Sequence, residues 1–541
     1  MSHSSGPSRR TFIATGSAAL AGLAWNPALA ATRDDHDLVI RGGTVYDGTG
    51  APGREADVAI ANGRIVAVGT GLARGREEID ARGRAVAPGF IDIHSHGDGA
   101  VDDDPRVESV IRQGITTMVV GADGSSRFDG TEGRSFAAWA ARYDALRPGP
   151  NAASMIGLGT VRGSVIGNAD RPATAQEVER MRAMVERAIA EGACGASSGL
   201  EYTPGAFAST EELSAVCRPL AARRLPYMTH MRNEDDRLIE AIDESIGVAR
   251  GAGCPLQISH LKTQGPRNWP KLDTAFARIE AARASGMDVA FDRYPYLAYS
   301  TGLTNLFPVW SRDGGTSAFL ARLDDPATAA RIKEATLAKV ELIGGWNNVQ
   351  IASVRAAEDR AAEGKRLGDH ARSVGGDPYD VAVAMLRRNN GNVGMLGFAM
   401  SEENLERILR HPLGMVCTDG SGFAADGPTR RGSPHPRGIG SFPRVLGRYV
   451  RERRTLPLES AIHKMTALPA SRVHLADRGR LAPGMAADVV VFDPARVADT
   501  ATFEQPFQYP VGIDVVVVNG AVALRDGARA ATGSGRAVRA G

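Results

Sequence analysis

The sequence predicts an α/β fold: a closed (β/α)8 TIM-like barrel with a small β-sandwich domain formed by the two ends of the chain. Three observations carry that expectation. From about residue 86 onward, short apolar runs of strand length alternate with amphipathic helical patterns, as parallel βαβ units require. Before and after this stretch the runs are strand-like only, with turns between them. Residues able to hold a metal ion fall at the carboxyl ends of several middle strands, the face on which such barrels build their sites.

Taken in order, residues 1–30 read as a targeting signal, not as structure. Ser8-Arg9-Arg10-Thr11-Phe12-Ile13 carries a twin arginine, Ala18 to Trp25 is weakly apolar, and Ala28-Leu29-Ala30 offers a small-residue cleavage site. The pattern resembles the bacterial twin-arginine signal, a route for proteins exported already folded, and implies a periplasmic location. The stretch is too short and too rich in Gly and Ala to span a bilayer, and no other segment is apolar enough. No stable membrane association is therefore expected. Arg9 and Arg10 account for the whole formal charge of +2, so the remainder is balanced and offers nucleic acid no electrostatic attraction. With 541 residues, the chain is long enough for one large domain plus a smaller one. Cys194, Cys217, Cys254 and Cys417 lack C-x-x-C spacing and lie in apolar stretches, so they read as buried thiols.

Asp37 to Val68 alternates short apolar runs with turns, the pattern of hairpins. Ala487–Phe492 and Val515–Val518 are strands at the far end, preceded by the turn Leu481-Ala482-Pro483-Gly484. Residues 34–86 and 475–541 are therefore expected to pair into the sandwich, leaving 87–474 as the barrel. After the run that ends at His94, barrel strands are expected at Ile115–Val120, Ala152–Ile156, Ala193–Ser197, Pro226–Thr229, Pro255–Ser259, Asp288–Phe291 and Gly414–Thr418. Val393–Phe398 is a ninth candidate for eight places. Thr174-x-x-Glu177 and Ser209-x-x-Glu212 read as capping boxes at helix starts. Residues from about 300 to 392 are too long and irregular for a βα loop and read as an insertion over the barrel mouth.

The chemistry sits at the strand ends. In Gly89-Phe90-Ile91-Asp92-Ile93-His94-Ser95-His96-Gly97-Asp98 two histidines lie two residues apart, so an extended backbone points both rings to one side. Converging neutral imidazoles make a metal site, with zinc the expected occupant. Asp123 follows the second strand, His230 the fifth, His260 the sixth and Asp419 the last. Four histidines and two aspartates thus reach one end of a closed barrel, enough for one or two Zn2+ ions. Such a centre suits hydrolysis, because the metal lowers the pKa of bound water and polarises a carbonyl. Asp419 is placed to take the water's proton and pass it to a leaving nitrogen, or to serve simply as a ligand.

This order of H-x-H, two later histidines and a final aspartate, between β-rich ends, resembles the amidohydrolase superfamily. More narrowly, five motifs are similar to the N-acyl-D-amino-acid deacylases (D-aminoacylases). They are Gly199-Leu200-Glu201-Tyr202-Thr203-Pro204-Gly205, Thr229-His230-Met231-Arg232-Asn233-Glu234, Gln257-Ile258-Ser259-His260-Leu261-Lys262, Asp292-Arg293-Tyr294-Pro295-Tyr296, and Pro434-His435-Pro436-Arg437 running on to Phe442-Pro443-Arg444-Val445-Leu446. The resemblance implies a tightly held zinc on His230 and His260, with His94, His96 and Asp419 around it or around a weaker second site. It implies that Lys262, Tyr294, Ser300 and Arg437 bind the substrate's α-carboxylate, with Tyr202 close by. His435 would pair with the substrate or brace Arg437.

Two departures stand out. The family commonly has a metal-bridging Cys in a Gly-Asn-Cys-Gly motif, where this chain reads Gly121-Ala122-Asp123-Gly124. Asp123 therefore stands as a carboxylate, a harder ligand, in the thiolate's place. A Gly-His-Gly-Thr motif appears here as Gly157-Leu158-Gly159-Thr160, which loses its histidine. The expected activity is zinc-dependent hydrolysis of the amide of a small-molecule N-acyl-D-amino acid, with a side-chain pocket built from Leu158–Ile166 and the insertion after Ser300. A cyclic-amide hydrolase of the dihydroorotase or hydantoinase type is an alternative, disfavoured because Ala193–Ser198 lacks the modified lysine those relatives often use. A metal-loaded binding protein for acyl amino acids is the third reading, and Asp419 argues against it.

Overall fold

Strands β1 (His36–Val45), β2 (Arg54–Ala61), β3 (Arg64–Gly69), β4 (Gly75–Asp80) and β5 (Ala85–Pro88) open the computed structural model, which describes residues 36–530 and 533–541. The twin-arginine segment expected over residues 1–30 lies outside the described residues. Next come β6 (Phe90–Asp92), β7 (Ile115–Val120), β8 (Asn151–Ser154), β9 (Ile156–Gly157), β10 (Ala196–Gly199), β11 (Tyr227–His230), β12 (Leu256–Ile258) and β13 (Val289–Arg293). The order continues with β14 (Ala298–Gly302), β15 (Val349–Ser353), β16 (Gly394–Phe398) and β17 (Gly414–Val416). It ends in β18 (Val489–Phe492), β19 (Ile513–Val518), β20 (Ala521–Arg525) and β21 (Ala528–Arg529).

The middle strands run parallel with crossover helices between them. β6, β7 and β8 form one ladder, and β9 through β13 with β17 form another. β8 and β9 are one barrel strand broken at Met155: β8 pairs with β7, and β9 pairs with β10. Counted so, eight positions surround the axis. Closure between β17 and β6 uses buried polar groups instead of a strand ladder. Asp92 accepts from the Thr418 backbone at 2.9 Å and from its hydroxyl at 2.5 Å, and the Asp419 amide donates to the His94 carbonyl at 2.8 Å. Burial pushes the Asp92 carboxyl up to about 6, although the Thr418 bonds pull it down.

The ninth strand candidate, Val393–Phe398, does not belong to the barrel. As β16 it pairs antiparallel with β14 and β15 in a separate sheet within the insertion. A short buried apolar run reads the same in either setting, so periodicity cannot separate them. That sheet spans Ala298–Phe398, somewhat wider than the 300–392 expected from sequence. The capping boxes also divide. Thr174 and Glu177 form the reciprocal pair at the head of helix Ala175–Glu191. Ser209 caps its helix, but Glu212 turns away to bond buried Arg162 at 3.0 Å, because an interior guanidinium needs a carboxylate more than an exposed cap does.

At the two chain ends one nine-stranded sheet runs β21-β20-β19-β18-β5-β1-β2-β3, with β4 alongside β1. Alternation along β18 and β19 explains their unbroken apolar sequence. Val489, Val491, Val515 and Val517 fill the small domain's core with Ile40, Val58 and Ile60, whereas Val490, Phe492, Val516 and Val518 pack into the barrel's core. Phe90 of the first barrel strand sits between Phe442 and Phe492, with ring centroids at 5.6 and 6.2 Å. All four cysteines are buried and free. Among the described residues no helix is long and apolar enough to cross a membrane.

Phe90 therefore links the metal-bearing strand to the small domain. Phe90→Ala is expected to cost about 3–5 kcal/mol, the range for a buried aromatic truncated in a close-packed core. A chemical denaturation midpoint unchanged from the wild type would contradict this role.

Candidate metal centre

Each candidate ligand stands at or just beyond a strand's carboxyl end, and three of them pay in backbone strain. Asp123, His260 and Asp419 have φ of 50, 36 and 47°, the left-handed region that non-glycine residues seldom enter. Neighbouring bonds hold them there. The Ser197 hydroxyl of β10 donates to the Gly121 carbonyl at 2.5 Å and accepts from the Gly124 amide at 3.0 Å, so it pins both sides of Asp123. Gly124 has no room for a side chain, since a Cβ there would stand 2.8 Å from the Gly199 nitrogen. The His260 amide donates to Asp292 Oδ1 at 2.8 Å, and Asp419 is fixed by its amide bond to His94.

These constraints bring the ligand atoms into two groups that share Asp123. In the first, His94 Nε2 lies 3.4 Å from Asp123 Oδ1 and 3.5 Å from Asp419 Oδ1. His96 Nε2 lies 3.4 Å from Asp123 Oδ2 and 3.2 Å from Asp419 Oδ1. In the second, His230 Nδ1 is 3.0 Å from His260 Nε2, and Asp123 Oδ2 is 3.9 and 3.6 Å from the two. Both nitrogens of His94, Asp123 Oδ1 and His230 Nε2 are buried without a hydrogen-bond partner. Orphaned buried polar atoms are rare in folded proteins and need a reason. Imidazole nitrogens and carboxylates facing common points fit one or two divalent cations of the zinc kind.

Behind the ligands stand three carboxylates that sequence reasoning did not assign. Asp292 Oδ1 lies 3.4 Å from His94 Nδ1, Glu201 Oε2 lies 3.5 Å from His230 Nε2, and Glu234 Oε1 lies 3.0 Å from His260 Nδ1. Each faces the ring nitrogen that points away from the cluster. A metal on one nitrogen leaves the proton on the other, and a carboxylate there fixes tautomer and ring orientation. The only sequence signal was their place inside three of the five motifs.

The charges are arranged to survive burial. Burial opposes a charge on His94, but Asp123 and Asp419 outweigh it and hold the imidazole well above its usual range. The same balance pushes His96 up to about 9. Burial would raise the Asp419 carboxyl, yet Arg437, His260 and His94 hold it well below the usual carboxylate range. Arg437 Nη1 donates to Asp419 Oδ2 at 2.6 Å.

The cluster floors a cavity of about 560 Å³, whose wall includes Tyr202, Lys262, Tyr294, Ser300, His435 and Arg437. Lys262 Nζ is 2.6 Å from Glu234 and 2.7 Å from His260 Nδ1. Were His260 Nε2 to hold a metal, Nδ1 would keep the ring's proton and turn it to Glu234, and the ammonium beside it would then donate to Glu234 and no longer to the ring. Three cations surround the Tyr294 ring, with Arg293 at 4.2 Å, Arg437 at 4.6 Å and Lys262 at 5.9 Å from its centroid. Both nitrogens of His435 are engaged: Nε2 bonds the Ala298 carbonyl and Nδ1 accepts from the Arg437 amide, an arrangement that braces Arg437. The expected contribution of Leu158–Ile166 does not appear. That segment is helical over Leu158–Val165, Leu158 packs into the core, and none of it lines the cavity. The insertion does contribute, through residues such as Thr301, Asn305 and Ser353.

The chain matches the amidohydrolase family over residues 77–385 and 415–524. It is 37% identical to a D-aminoacylase of Alcaligenes xylosoxydans xylosoxydans over 92% of this chain and 97% of that protein. It is 38% identical to an N-acyl-D-glutamate deacylase of the same organism, over 90% of this chain and 93% of the relative. A crystal structure of the N-acyl-D-glutamate deacylase from Bordetella bronchiseptica, complexed with zinc and a phosphonate inhibitor that mimics the reaction's tetrahedral intermediate, superposes with a TM-score of 0.80 at 36% identity, covering 93% of this chain and 100% of that one.

Two substitutions probe the centre through metal content. Asp123→Ala is expected to lower the zinc retained per chain, and unchanged metal with unchanged activity would remove Asp123 from the ligand set. Glu234→Gln leaves His260 without its anionic acceptor and should weaken zinc about 10–100-fold in competition with a chromophoric chelator.

Proposed function

The chain belongs to the amidohydrolase family, and from that premise we propose that it is a zinc-dependent deacylase, cleaving the amide of N-acyl-D-amino acids to a carboxylate and a free D-amino acid. The observation that carries this reading is the coincidence, in one cavity, of the divided imidazole–carboxylate cluster with Asp419 and the cations Lys262 and Arg437. His94, His96, Asp123, His230, His260 and Asp419 would hold one or two zinc ions. Zinc bound there would lower the pKa of water and polarise the amide carbonyl.

The protein's own groups supply the rest. Asp419 is ionised before substrate arrives, so it acts first as base, taking the proton of the attacking water on Oδ1, the oxygen not held by Arg437. It then returns that proton to the amide nitrogen as the C–N bond breaks, which makes the amine a neutral leaving group. The Arg437 hydrogens not given to Asp419, with Lys262 and the hydroxyls of Tyr294 and Ser300, would grip the α-carboxylate. The Tyr294 hydroxyl is buried with no partner, as a group kept for a ligand would be. Asp123 in place of a thiolate favours harder divalent ions than sulfur would. Where a cyclic-amide hydrolase would carry its lysine, Ser197 and Ser198 spend their hydroxyls on Gly121, Gly124, Tyr227 and Thr229.

The test offers matched N-acetyl-D- and N-acetyl-L-amino acids to the zinc-loaded chain and follows free amine. Release from the D series only is expected, with Asp419→Asn lowering kcat about 10²–10⁴-fold, the usual worth of a proton-transfer group. No release from either series, or ligand bound and returned unchanged, would overturn the deacylase reading.

We also propose a periplasmic location, supported by Arg9 and Arg10 in their signal-like setting. Fractionation of expressing cells should find the mature chain outside the cytoplasm, with Arg9→Lys and Arg10→Lys together retaining the precursor. Equal distribution of both forms would refute it.

A further inference from the structure

A second and larger cavity, about 820 Å³, opens off the site cavity. The two share Thr301, Gly302, Ser353, Gly394 and Arg431, so a molecule seated in one can extend into the other. Its wall comes from the insertion and from the loop around residue 431. Arg355, Arg360, Arg430 and Arg431 line it, against a single acid, Glu363. Glu363 accepts from the Val354 amide at 2.9 Å and pairs with none of them. Among the described residues, Arg355 and Arg360 have no carboxylate within ion-pair distance and no side-chain hydrogen bond. Arg430 lies over the Phe507 ring at 4.7 Å, and Arg431 is held by Asp103 at 3.0 Å.

Four exposed arginines thus line one concave wall of a chain with almost balanced charge; Arg430 and Arg431 are engaged by Phe507 and Asp103, and Arg355 and Arg360 are left unneutralised. Like charges held together repel, and a concave wall concentrates their potential on whatever enters. Exposed arginines scattered on a surface need no explanation, but two unpaired arginines on the wall of a cavity that adjoins a reaction site offer an anion a forked seat.

Resting on the deacylase reading, we propose that the preferred substrate carries a second anionic group at the far end of its acyl chain, and that Arg355 and Arg360 bind that group. On that reading the scissile amide belongs at the cluster and the α-carboxylate at Lys262 and Arg437, within a cavity whose volume of about 560 Å³ exceeds what a simple N-acetyl amino acid fills. An aspartate or glutamate side chain ends two or three carbons from the α-carbon and stays in that cavity. The acyl group is the part of the molecule free to be long, and a carboxylate-ended acyl chain, dicarboxylic or peptide-like, matches both the reach and the charge of the second cavity.

The test uses the full chain and substrates matched in length: N-glutaryl- and N-adipoyl-D-alanine against N-pentanoyl- and N-hexanoyl-D-alanine. Binding is read by calorimetry on protein stripped of metal, where nothing is cleaved. The carboxylate-ended ligands should bind about tenfold tighter at low salt, with the advantage shrinking as ionic strength rises. Arg355→Gln with Arg360→Gln should erase that advantage, while kcat/KM for N-acetyl-D-alanine in the zinc-loaded enzyme stays at the wild-type value and shows that the variant is folded. A second comparison, N-acetyl-D-glutamate against N-acetyl-D-glutamine, should be indifferent to the two substitutions. Equal binding of charged and neutral acyl chains, or a preference that survives the double substitution, would overturn the proposal. So would a loss confined to N-acetyl-D-glutamate, which would assign the arginines to the side chain. If no ligand is cleaved after zinc loading yet the arginine-dependent preference persists, the anion site stands and the deacylase reading falls.

Discussion

The Asp123 carboxylate is the constraint on which the centre depends. It alone belongs to both ligand groups, with Oδ1 and Oδ2 within 4 Å of atoms on four histidines contributed by three different barrel strands. To stand there it adopts a left-handed backbone, and that conformation is held by Ser197 from the fourth barrel strand, which bonds Gly121 before it and Gly124 after it. A (β/α)8 barrel can supply such bracing because inward side chains of alternate strands share a layer, so a hydroxyl on the fourth strand meets the loop after the second. The strained φ values at His260 and Asp419 have the same origin. Each chain segment must turn sharply as it leaves the sheet, so that its side chain points toward the axis and not along it.

Five ionisable side chains of the cluster and three more behind it are almost wholly withdrawn from water, with only His96 partly exposed, which is costly unless the charges are matched. They are matched in layers. Asp123 and Asp419 face the imidazoles, Asp292, Glu201 and Glu234 stand behind three of those rings, and Lys262 and Arg437 answer Glu234 and Asp419. Metal binding replaces the protons shared within the inner layer, and the outer carboxylates keep the proton each ring retains. Affinity for the ion therefore belongs to the layers jointly. The same arrangement ties Lys262 and Arg437, which line the cavity, to the centre: each gives a hydrogen bond to a carboxylate of the layered cluster.

Much of this is legible from sequence, for identifiable reasons. Alternation by two places His94 and His96 on one side of a strand, and the spacing of apolar runs places Asp123, His230, His260 and Asp419 at neighbouring strand ends. What is not legible depends on which atom faces which. Nothing in Glu201, Glu234 or Asp292 as residue types tells which imidazole nitrogen they back, and nothing in Glu212 tells that it prefers buried Arg162 to its own helix cap. Val393–Phe398 reads as a barrel strand because burial on both faces gives the same apolar run in a central barrel strand and in a small antiparallel sheet under a long insertion. Leu158 is misplaced for a related reason: its proximity to the third strand is local, but helix geometry turns it into the core. Nothing in the sequence singles out Arg355 and Arg360, since only the folded insertion places them on one wall.

The insertion between the seventh and eighth barrel strands is where this chain departs from a bare barrel. The barrel fixes chemistry, because the cluster is built from strand ends whose positions the sheet dictates. The insertion sets what reaches that chemistry, because its sheet, β14 to β16, and the loops joining those strands line one side of the site cavity and most of the arginine-lined cavity beyond. Its own sheet is tied back to the body by the Ser433 amide on Ala352 and by Gln350 on Phe503, so the wall is carried by backbone and amide bonds and does not rely on the exposed charges it displays. Charges on such a wall can change without disturbing the cluster beneath. The walls that a bound molecule meets can therefore vary while the cluster beneath them stays the same.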